Sequence, residues 1–255
     1  MSQTDVAAVD AAQADIGLVC ALPLELAAFL GRCQRVKKYS GGSFTFCGGL
    51  YDDIRIAVVE SGTGQSRATR ATQALLDAHK PKWVISTGFA GSLKAEIKIG
   101  HIFVADRVMG ANGEELSIDV GMPADAARGL HVGRLLTADH MVRTIAEKQS
   151  LAEKTESLAV DMESFAVAAV CRQTKTRFMA VRAISDDLSA DLPPEVLSLV
   201  GETGAVRFGA VIGSLFKRPS SIKDMWRLRE QASVAADRLA DFLDGIVVQL
   251  HRAKT

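Results

Sequence analysis

The stretch LAVDMESFAVAAVC (158–171) places two carboxylates between two apolar runs. Its first three residues are typical of the end of a buried strand, and its last seven are small or apolar, as in a helix that packs on most of its sides. Asp161 and Glu163 stand at the junction, with only Met162 between them. A buried strand that passes directly into a buried helix predicts an α/β fold, and it raises the question of what two carboxylates do there.

Strand-like runs rich in valine, isoleucine and phenylalanine alternate with helical patterns along the rest of the chain. The strand-like runs span 16–22, 44–50, 54–60, 82–88, 101–109, 131–139, 158–161 and 177–185, and the helical patterns span 65–79, 162–174 and 232–250. The second and third runs form a predicted hairpin that turns at Asp52-Asp53. This alternation predicts one domain, with a central parallel or mixed sheet that helices cover on both faces.

The last helical pattern has a clear apolar face. Spacings of three and four residues place six side chains on it: Val234, Leu239, Phe242, Leu243, Ile246 and Leu250. We therefore expect this helix to pack along one face of the sheet.

Composition and charge argue against several classes of function. The 255 residues are 48% hydrophobic and 24% charged, with 30 basic and 30 acidic side chains, so the net charge gives no electrostatic case for a nucleic-acid partner. The four cysteines form no CxxC pair and the five histidines no HxxxH or HExxH pair, so we predict reduced thiols and no metal site. The glycine-containing segments match neither GxGxxG nor GxxxxGK(S/T), so no dinucleotide or triphosphate cofactor is indicated.

The chain shows no signature of secretion or of a membrane span. Residues 1–14 lack a basic n-region and a long apolar core, so they are interpreted as a flexible tail before a single domain at 15–255. No apolar run is long enough to cross a bilayer. Together with the reduced cysteines, this predicts a cytoplasmic protein.

Glycines or carboxylates follow four of the predicted strands. They are Glu25 after the first strand, Gly62 and Gly64 after the third, Gly88 and Gly91 after the fourth, and Asp186 and Asp187 after the last. The carboxyl ends of strands face the ligand crevice in open α/β sheets, so we expect these residues to converge, with the glycines allowing close approach of a ligand. Each carboxylate also has a purely structural interpretation, as a helix cap, a partner of a helix dipole or a solvated first-turn glutamate.

Five segments, in this order along the chain, resemble the nucleoside phosphorylase/nucleosidase superfamily of the purine nucleoside and uridine phosphorylase type. They are IGLVCALPLEL (16–26), SGTGQ (61–65), TGFAGSL (87–93), AVDMESFAVAAVC (159–171) and VRAISD (181–186). The resemblance covers about residues 16–190 and is greatest to the branch of 5′-methylthioadenosine/S-adenosylhomocysteine nucleosidases. It implies a three-layer α/β/α sandwich around a mixed, partly closed sheet, and a homodimer or a larger homo-oligomer.

The same resemblance implies that the chain cleaves the N-ribosidic bond of a purine nucleoside, with adenine as the base. Glu163 would bind the ribose hydroxyls, and Met162 would pack beneath the sugar. Asp186 would hold the purine and deliver a proton to N7, and Glu25 would activate the attacking water. This division suits the chemistry, because the sugar becomes positive and the leaving base negative as the bond breaks. The other substrate-binding positions that the resemblance implies are Gly88, Phe89, Ala90, Gly91, Met141, Asp161, Arg182 and Ser185, with positioning of the loop as the alternative role of Asp161.

Water is the predicted nucleophile. In the phosphorylase branch an arginine and a serine flank the loop that here has the sequence STGFAG, and Ser86 and Phe89 stand at those positions, so the usual phosphate ligands are missing. Against this, Gly62, Gly64 and Arg67 form a candidate anion site. A phosphate-dependent phosphorylase is therefore the alternative.

Two departures from the nucleosidase branch concern the substrate. The adenine-stacking aromatic residue of that branch falls at Met141, and the segment between Asp106 and Thr137 is shorter, without an added helix that helps to shape the 5′ pocket. Residues 191–229 are predicted to be an insertion, and 215–229 within it mixes apolar and basic side chains. That mixture is typical of a lid or of weak association with a membrane surface, and equally of ordinary packing with a solvated basic face.

Two further hypotheses stay open. A similar insertion is found in hopanoid-associated phosphorylase-like members of the superfamily, whose implied substrate is an adenosine with a bulky lipid at C5′. A non-catalytic nucleoside-binding module is the other hypothesis, and the presence of all three acids argues against it.

Overall fold

The computed structural model describes residues 13–194, 196 and 219–253. The strands are β1 (Ile16–Cys20), β2 (Gln34–Gly41), β3 (Phe44–Tyr51), β4 (Ile54–Glu60), β5 (Trp83–Ser92), β6 (Ile102–Gly110), β7 (Glu115–Ser117), β8 (Leu130–Thr137), β9 (Ala159–Asp161) and β10 (Arg177–Asp186). The helices are α1 (Pro23–Leu30), α2 (Gln65–His79), α3 (Ile145–Thr155), α4 (Ser164–Thr174) and α5 (Pro219–Arg252), and a short 3₁₀ helix lies at Ala126–Arg128. Most of the predicted tail (1–14) and of the predicted insertion (191–229) lies outside the described residues, as do the side chains of 215–226.

Within the described residues, ten strands form one mixed sheet, and β5 is its central strand, because it pairs with three others. β5 pairs in parallel with β1 on one side and with β10 on the other, and its last residues pair antiparallel with β9. β10 pairs with β6, β6 with β8, and β8 with β9, so these strands and β5 form a closed ring. Strands β1, β4, β3 and β2 extend from β5 as an open wing, and β7 pairs with β6 outside the ring. The predicted mixed, partly closed sheet is confirmed.

Helices cover both faces of this sheet. α1 and α5 pack on one face, where Leu26 and Leu243 join the side chains of β1 and β4 in a buried core. α2 and α4 pack on the opposite face, where Leu75 and Val167 meet the other side of the same strands. Strands covered on both faces are apolar along their whole length, which is why their sequences show continuous apolar runs. The predicted three-layer α/β/α sandwich is confirmed.

Most predicted elements occur where the sequence placed them. The helix at 65–79 matches α2, and the hairpin at Asp52-Asp53 joins β3 to β4. The sequence did not indicate β2, because this edge strand is almost entirely exposed and has no apolar face. The prediction that Val234 lies on the buried face of the last helix is wrong: it is 45% exposed, and it faces Gly100 in the loop before β6.

Neither a membrane span nor a metal cluster is found in the part of the chain that the structure describes. No helix there is long and apolar enough to cross a membrane. No group of three or more histidine, cysteine, aspartate or glutamate side chains is arranged there to hold a metal ion.

Candidate active site

A small cleft lies at the carboxyl end of β1 and against the middle of β5. The residues that line it are Val19, Cys20, Ala21, Glu25, Ser61, Thr87, Gly88, Phe89, Glu163 and Arg182. Five of the predicted site residues, namely Glu25, Gly88, Phe89, Glu163 and Arg182, are therefore brought together from distant parts of the chain. The strand-end argument did not single out Thr87, whose Oγ1 is buried and has no hydrogen-bond partner among the described residues.

Glu25 lies in the first turn of α1, and its carboxylate points into the protein. The residue is only 5% exposed. Its Oε2 accepts hydrogen bonds from the N–H groups of Ala21 and Leu22 at 2.9 and 2.8 Å, and its Oε1 accepts one from the N–H of Phe89 at 3.0 Å. Burial raises the pKa of Glu25, and the backbone N–H groups oppose that rise. The result is a carboxylate in one fixed orientation, with more affinity for a proton than a solvated glutamate has.

Two glycines of β5 make room for two of the predicted catalytic carboxylates. A Cβ atom at Gly88 would lie 2.6 Å from Glu25 Oε1, and one at Gly91 would lie 2.8 Å from Asp186 Oδ2. Gly88 also has a φ of +149°, which side chains rarely adopt. The sequence suggested that these glycines admit a ligand, whereas the structure shows carboxylate oxygens against both of them.

Glu163 precedes α4 and directs its carboxyl group toward the loop after β4. The residue is 9% exposed, and its Oε1 accepts a hydrogen bond from the N–H of Gly64 at 2.6 Å. Burial, followed by the negative charge of Asp161, raises the pKa of Glu163 to about 8. The free protein therefore holds Glu163 largely protonated at neutral pH, and positive charge arriving in the cleft would favour its ionised form.

Asp161, the other carboxylate of the opening stretch, belongs to a buried network around Arg182. The Arg182 guanidinium is 2% exposed and donates from Nε to Asp161 Oδ2 at 2.9 Å, and from Nη2 to the hydroxyls of Ser86 and Ser164 at 2.7 and 2.8 Å. Asp161 also accepts from the Thr137 hydroxyl at 2.7 Å and from the N–H of Ser164 at 3.1 Å. The geometry therefore supports the loop-positioning alternative for Asp161, while Glu163 faces the cleft.

Asp186 ends β10 and is held by partners other than backbone N–H groups. Its Oδ1 accepts a hydrogen bond from the Ser185 hydroxyl at 2.9 Å, and its Oδ2 forms a short ion pair with the ammonium of Lys148. Lys148 comes from α3, is fully buried, and also donates to the carbonyl of Asp187 at 3.2 Å. No sequence pattern indicated Lys148, because its polar neighbours in α3 are typical of a solvated helix face.

The predicted anion site is made of groups that already have acceptors within the protein. The N–H of Gly62 donates to the carbonyl of Ala21 at 3.1 Å, the N–H of Gly64 donates to Glu163, and Arg67 Nε donates to the carbonyl of Ser61 at 2.7 Å. Anion binding at these residues stays a prediction.

Three other predicted substrate-binding residues are Met141, Met162 and Ala90. Met141 and Met162 are half-buried, Ala90 is buried within β5, and Met141 lies in the loop between β8 and α3. None of these three is among the residues that line the cleft in the described part of the chain. Their contact with a substrate stays a prediction.

Comparison with known proteins places this arrangement in a family. The sequence profile described as "Phosphorylase superfamily" matches residues 15–124 and 117–216. The chain is 25% identical over 227 residues to the 5′-methylthioadenosine/S-adenosylhomocysteine nucleosidase of Maridesulfovibrio salexigens, which covers 79% of this chain and 98% of that protein. A crystal structure of the Helicobacter pylori nucleosidase of the same name has a TM-score of 0.68 at 20% identity, with 94% of this chain and 100% of that chain covered. The futalosine hydrolase of Helicobacter pylori has a TM-score of 0.67 at 20% identity, with 93% and 98% covered.

Proposed function

The chain belongs to the phosphorylase superfamily, and we propose that it hydrolyses the N-ribosidic bond of a purine nucleoside, with adenine as the preferred base. The observation that carries this proposal is the placement of Glu25 and Glu163 in one cleft, with the first fixed by backbone N–H groups and the second poised to ionise. Relatives that are 25% and 26% identical are named as nucleosidases, which supports hydrolysis.

Glu25 is the group that activates water in this mechanism. Burial without an ion pair increases its affinity for a proton, and its three N–H partners fix the direction from which water can approach. Thr87 lines the same cleft, and its buried hydroxyl has no hydrogen-bond partner among the described residues. The water gives its proton to Glu25 as its oxygen attacks C1′ of the ribose.

Glu163 acts on the sugar. A carboxyl group that is protonated in the free protein can both donate to and accept from the ribose hydroxyls. As the bond to the base breaks, positive charge grows on the sugar and favours the ionised form of Glu163, so the interaction strengthens in the transition state. This is the role that its raised pKa supports.

Asp186 acts on the leaving base, on the far side of the sugar. It lies over Gly91 of β5, while Glu25 lies over Gly88. Hydrolysis with inversion uses one carboxyl group to activate water and a second, on the opposite side of the sugar, to protonate the leaving group.

Water rather than phosphate is the proposed nucleophile. The Ser86 hydroxyl accepts a hydrogen bond from Arg182 at 2.7 Å. The apolar side chain of Phe89 cannot bind phosphate, and its backbone N–H already donates a hydrogen bond to Glu25. A phosphate dianion needs cationic or hydroxyl ligands. At those positions the loop supplies no cation, and its one hydroxyl, that of Ser86, is buried against Arg182 and Ser164. The alternative is a phosphorylase that acts on a 5′-modified adenosine, with Arg67 as the first phosphate ligand to test.

The setting of this reaction is also part of the proposal. We expect a cytoplasmic homodimer or larger homo-oligomer, in which all four cysteines, which are free in the structure, stay reduced. In the proposed segment for weak membrane association, 215–229, residues 215–218 and the side chains of 219–226 lie outside what the structure describes.

The proposal is tested with adenosine, 5′-methylthioadenosine and inosine, each incubated with the protein with and without phosphate. We expect release of adenine and of a free sugar in the absence of phosphate. Strict dependence on phosphate, with a sugar 1-phosphate as product, would overturn hydrolysis and favour the phosphorylase. Binding of the nucleosides without cleavage in either condition would favour a non-catalytic module.

A further inference from the structure

Lys148 is a fully buried cation for which the proposed mechanism has not yet given a role. Removing an ammonium group from water costs several kcal/mol, and good partners must offset that cost. The partners recorded for Lys148 Nζ are the Asp186 carboxylate and the Asp187 carbonyl, both at the end of β10. The buried ammonium therefore pairs with the carboxylate that is assigned to the leaving base.

The ion pair changes what Asp186 can do by itself. A carboxylate that is paired with an ammonium carries no proton of its own, yet a purine leaves poorly as an anion and needs a proton at N7. In the pair as it stands, the mobile proton is on Lys148. Lys148 Nζ is the donor that faces the Asp186 carboxylate, so it is the nearest source of that proton.

We propose that Lys148 is a positioning residue that supplies, through Asp186, the proton that the leaving base takes. This inference rests on the proposed function. A proton passes from Lys148 Nζ to the Asp186 carboxylate, and the carboxyl group then gives a proton to N7. The bond between C1′ and the base breaks with its electron pair on the base, while the water oxygen bonds to C1′ and the water proton goes to Glu25. The step ends with a neutral lysine amine, an Asp186 carboxylate and a neutral base, and solvent protons restore the ammonium once the base has left.

Two substitutions separate the supply of a proton from the orientation of Asp186. Lys148→Met removes both the charge and the proton. Lys148→Arg keeps a cation that can hold the carboxylate, but a guanidinium does not release its proton in proteins. Lys154→Met is the matched control, since Lys154 is an exposed lysine on the same helix.

Two substrates separate this role from a general effect on the fold. 5′-Methylthioadenosine needs protonation of its leaving base, whereas 4-nitrophenyl β-D-ribofuranoside has a leaving group that departs as an anion. Turnover of the second substrate also checks that each variant still has an intact site for water attack.

We expect Lys148→Met and Lys148→Arg each to slow cleavage of 5′-methylthioadenosine by about 10²-fold or more, as is typical for loss of general acid catalysis. Cleavage of the nitrophenyl riboside should fall less than about threefold in both, and Lys154→Met should match the wild type on both substrates. Restoration of the wild-type rate by Lys148→Arg would overturn the inference, because orientation alone would then suffice. A parallel loss on both substrates, or no loss, would overturn it as well. If the wild-type protein cleaves no purine nucleoside, the proposed function itself is overturned. This outcome is seen in the wild-type assay, before any variant is made.

Discussion

Glu25 and Asp186 are two carboxylates that sit over glycines of the same strand, but the protein holds them by different means. Glu25 accepts three backbone N–H groups and has no ion pair within the described residues. Asp186 is paired with the ammonium of Lys148 and accepts the Ser185 hydroxyl. Backbone dipoles fix a carboxylate without supplying a proton, whereas an ammonium fixes it and brings a proton with it.

This contrast assigns opposite chemistry to the two ends of the site. The environment of Glu25 suits a group that accepts a proton from water, and the environment of Asp186 suits a group that passes one to a base. The division does not depend on residue type, because both side chains are carboxylates. It follows from their partners, and it can be tested with substrates that need one end or both.

The largest effect should follow from Glu25→Gln. We expect its kcat to fall by about 10³-fold, because an amide cannot accept the proton of water. The loss should be the same for 5′-methylthioadenosine and for 4-nitrophenyl β-D-ribofuranoside, since both substrates need water attack. Steady-state kinetics on the two substrates measures this, and a loss confined to the purine would place Glu25 at the wrong end of the site.

Asp186→Asn should have a somewhat smaller effect with the opposite selectivity. We expect about 10²-fold slower cleavage of the purine nucleoside and nearly unchanged cleavage of the nitrophenyl riboside, because only the purine needs a proton. The double variant with Lys148→Met should be no slower than either single variant, since groups that act as one unit do not add. Near-normal purine cleavage by a well-folded Asp186→Asn would remove Asp186 from the mechanism.

Gly88→Ala and Gly91→Ala should reproduce these two patterns more weakly. Each added methyl group would meet a carboxylate oxygen, that of Glu25 at 2.6 Å in the first case and that of Asp186 at 2.8 Å in the second. We expect losses on the order of 10-fold to 10²-fold, because a small misplacement of a catalytic group is enough to slow the reaction. Gly88→Ala should slow both substrates and Gly91→Ala mainly the purine. Identical profiles for the two variants would mean that the strand, and not the carboxylates, is disturbed.

The last prediction is about stability, not rate, and it concerns Glu163, the third carboxylate. Its pKa is raised from 4.5 to about 8 in the folded protein. The folded state therefore holds a proton that the unfolded state loses, so the free energy of unfolding should fall as pH rises from about 4.5 to about 8. Glu163→Gln removes this titration, and its stability should exceed that of the wild type by the largest margin near pH 9. Urea unfolding at a series of pH values measures the difference, and parallel curves for the two proteins would contradict the raised pKa.

The residues that the sequence identified are those marked by local pattern. Glu25, Gly88 and Glu163 each lie where an apolar run is broken by a charge or a glycine, whereas Arg182 was implied by the resemblance. Such a break can be recognised in the sequence without knowing which residues it contacts in the folded protein. The convergence of these four in one cleft then follows from the parallel order of the strands.

The features that the sequence did not reveal depend on partners far along the chain. Lys148 lies in a polar part of α3, and only its contact with Asp186 at the end of β10 distinguishes it from a solvated lysine. The role of Gly91 is similar, because it is the position of Asp186 that leaves no space for a side chain there. Closure of the ring was implied by resemblance alone, since no local pattern indicates that the end of β5 pairs with β9.

The ring also sets the order in which this protein can become active. β10 must pair with β5 after the intervening segments from β6 to α4 have been laid out, and contacts between such distant segments form slowly because the chain loses entropy before they stabilise it. Arg182 and Asp186 belong to β10, whereas the residues that they contact, Ser86 and Gly91, belong to β5. In a nascent chain in which only the wing has folded, Glu25 therefore lacks the cleft residues that come from later in the chain. Nucleoside cleavage should begin only when β10 has paired with β5.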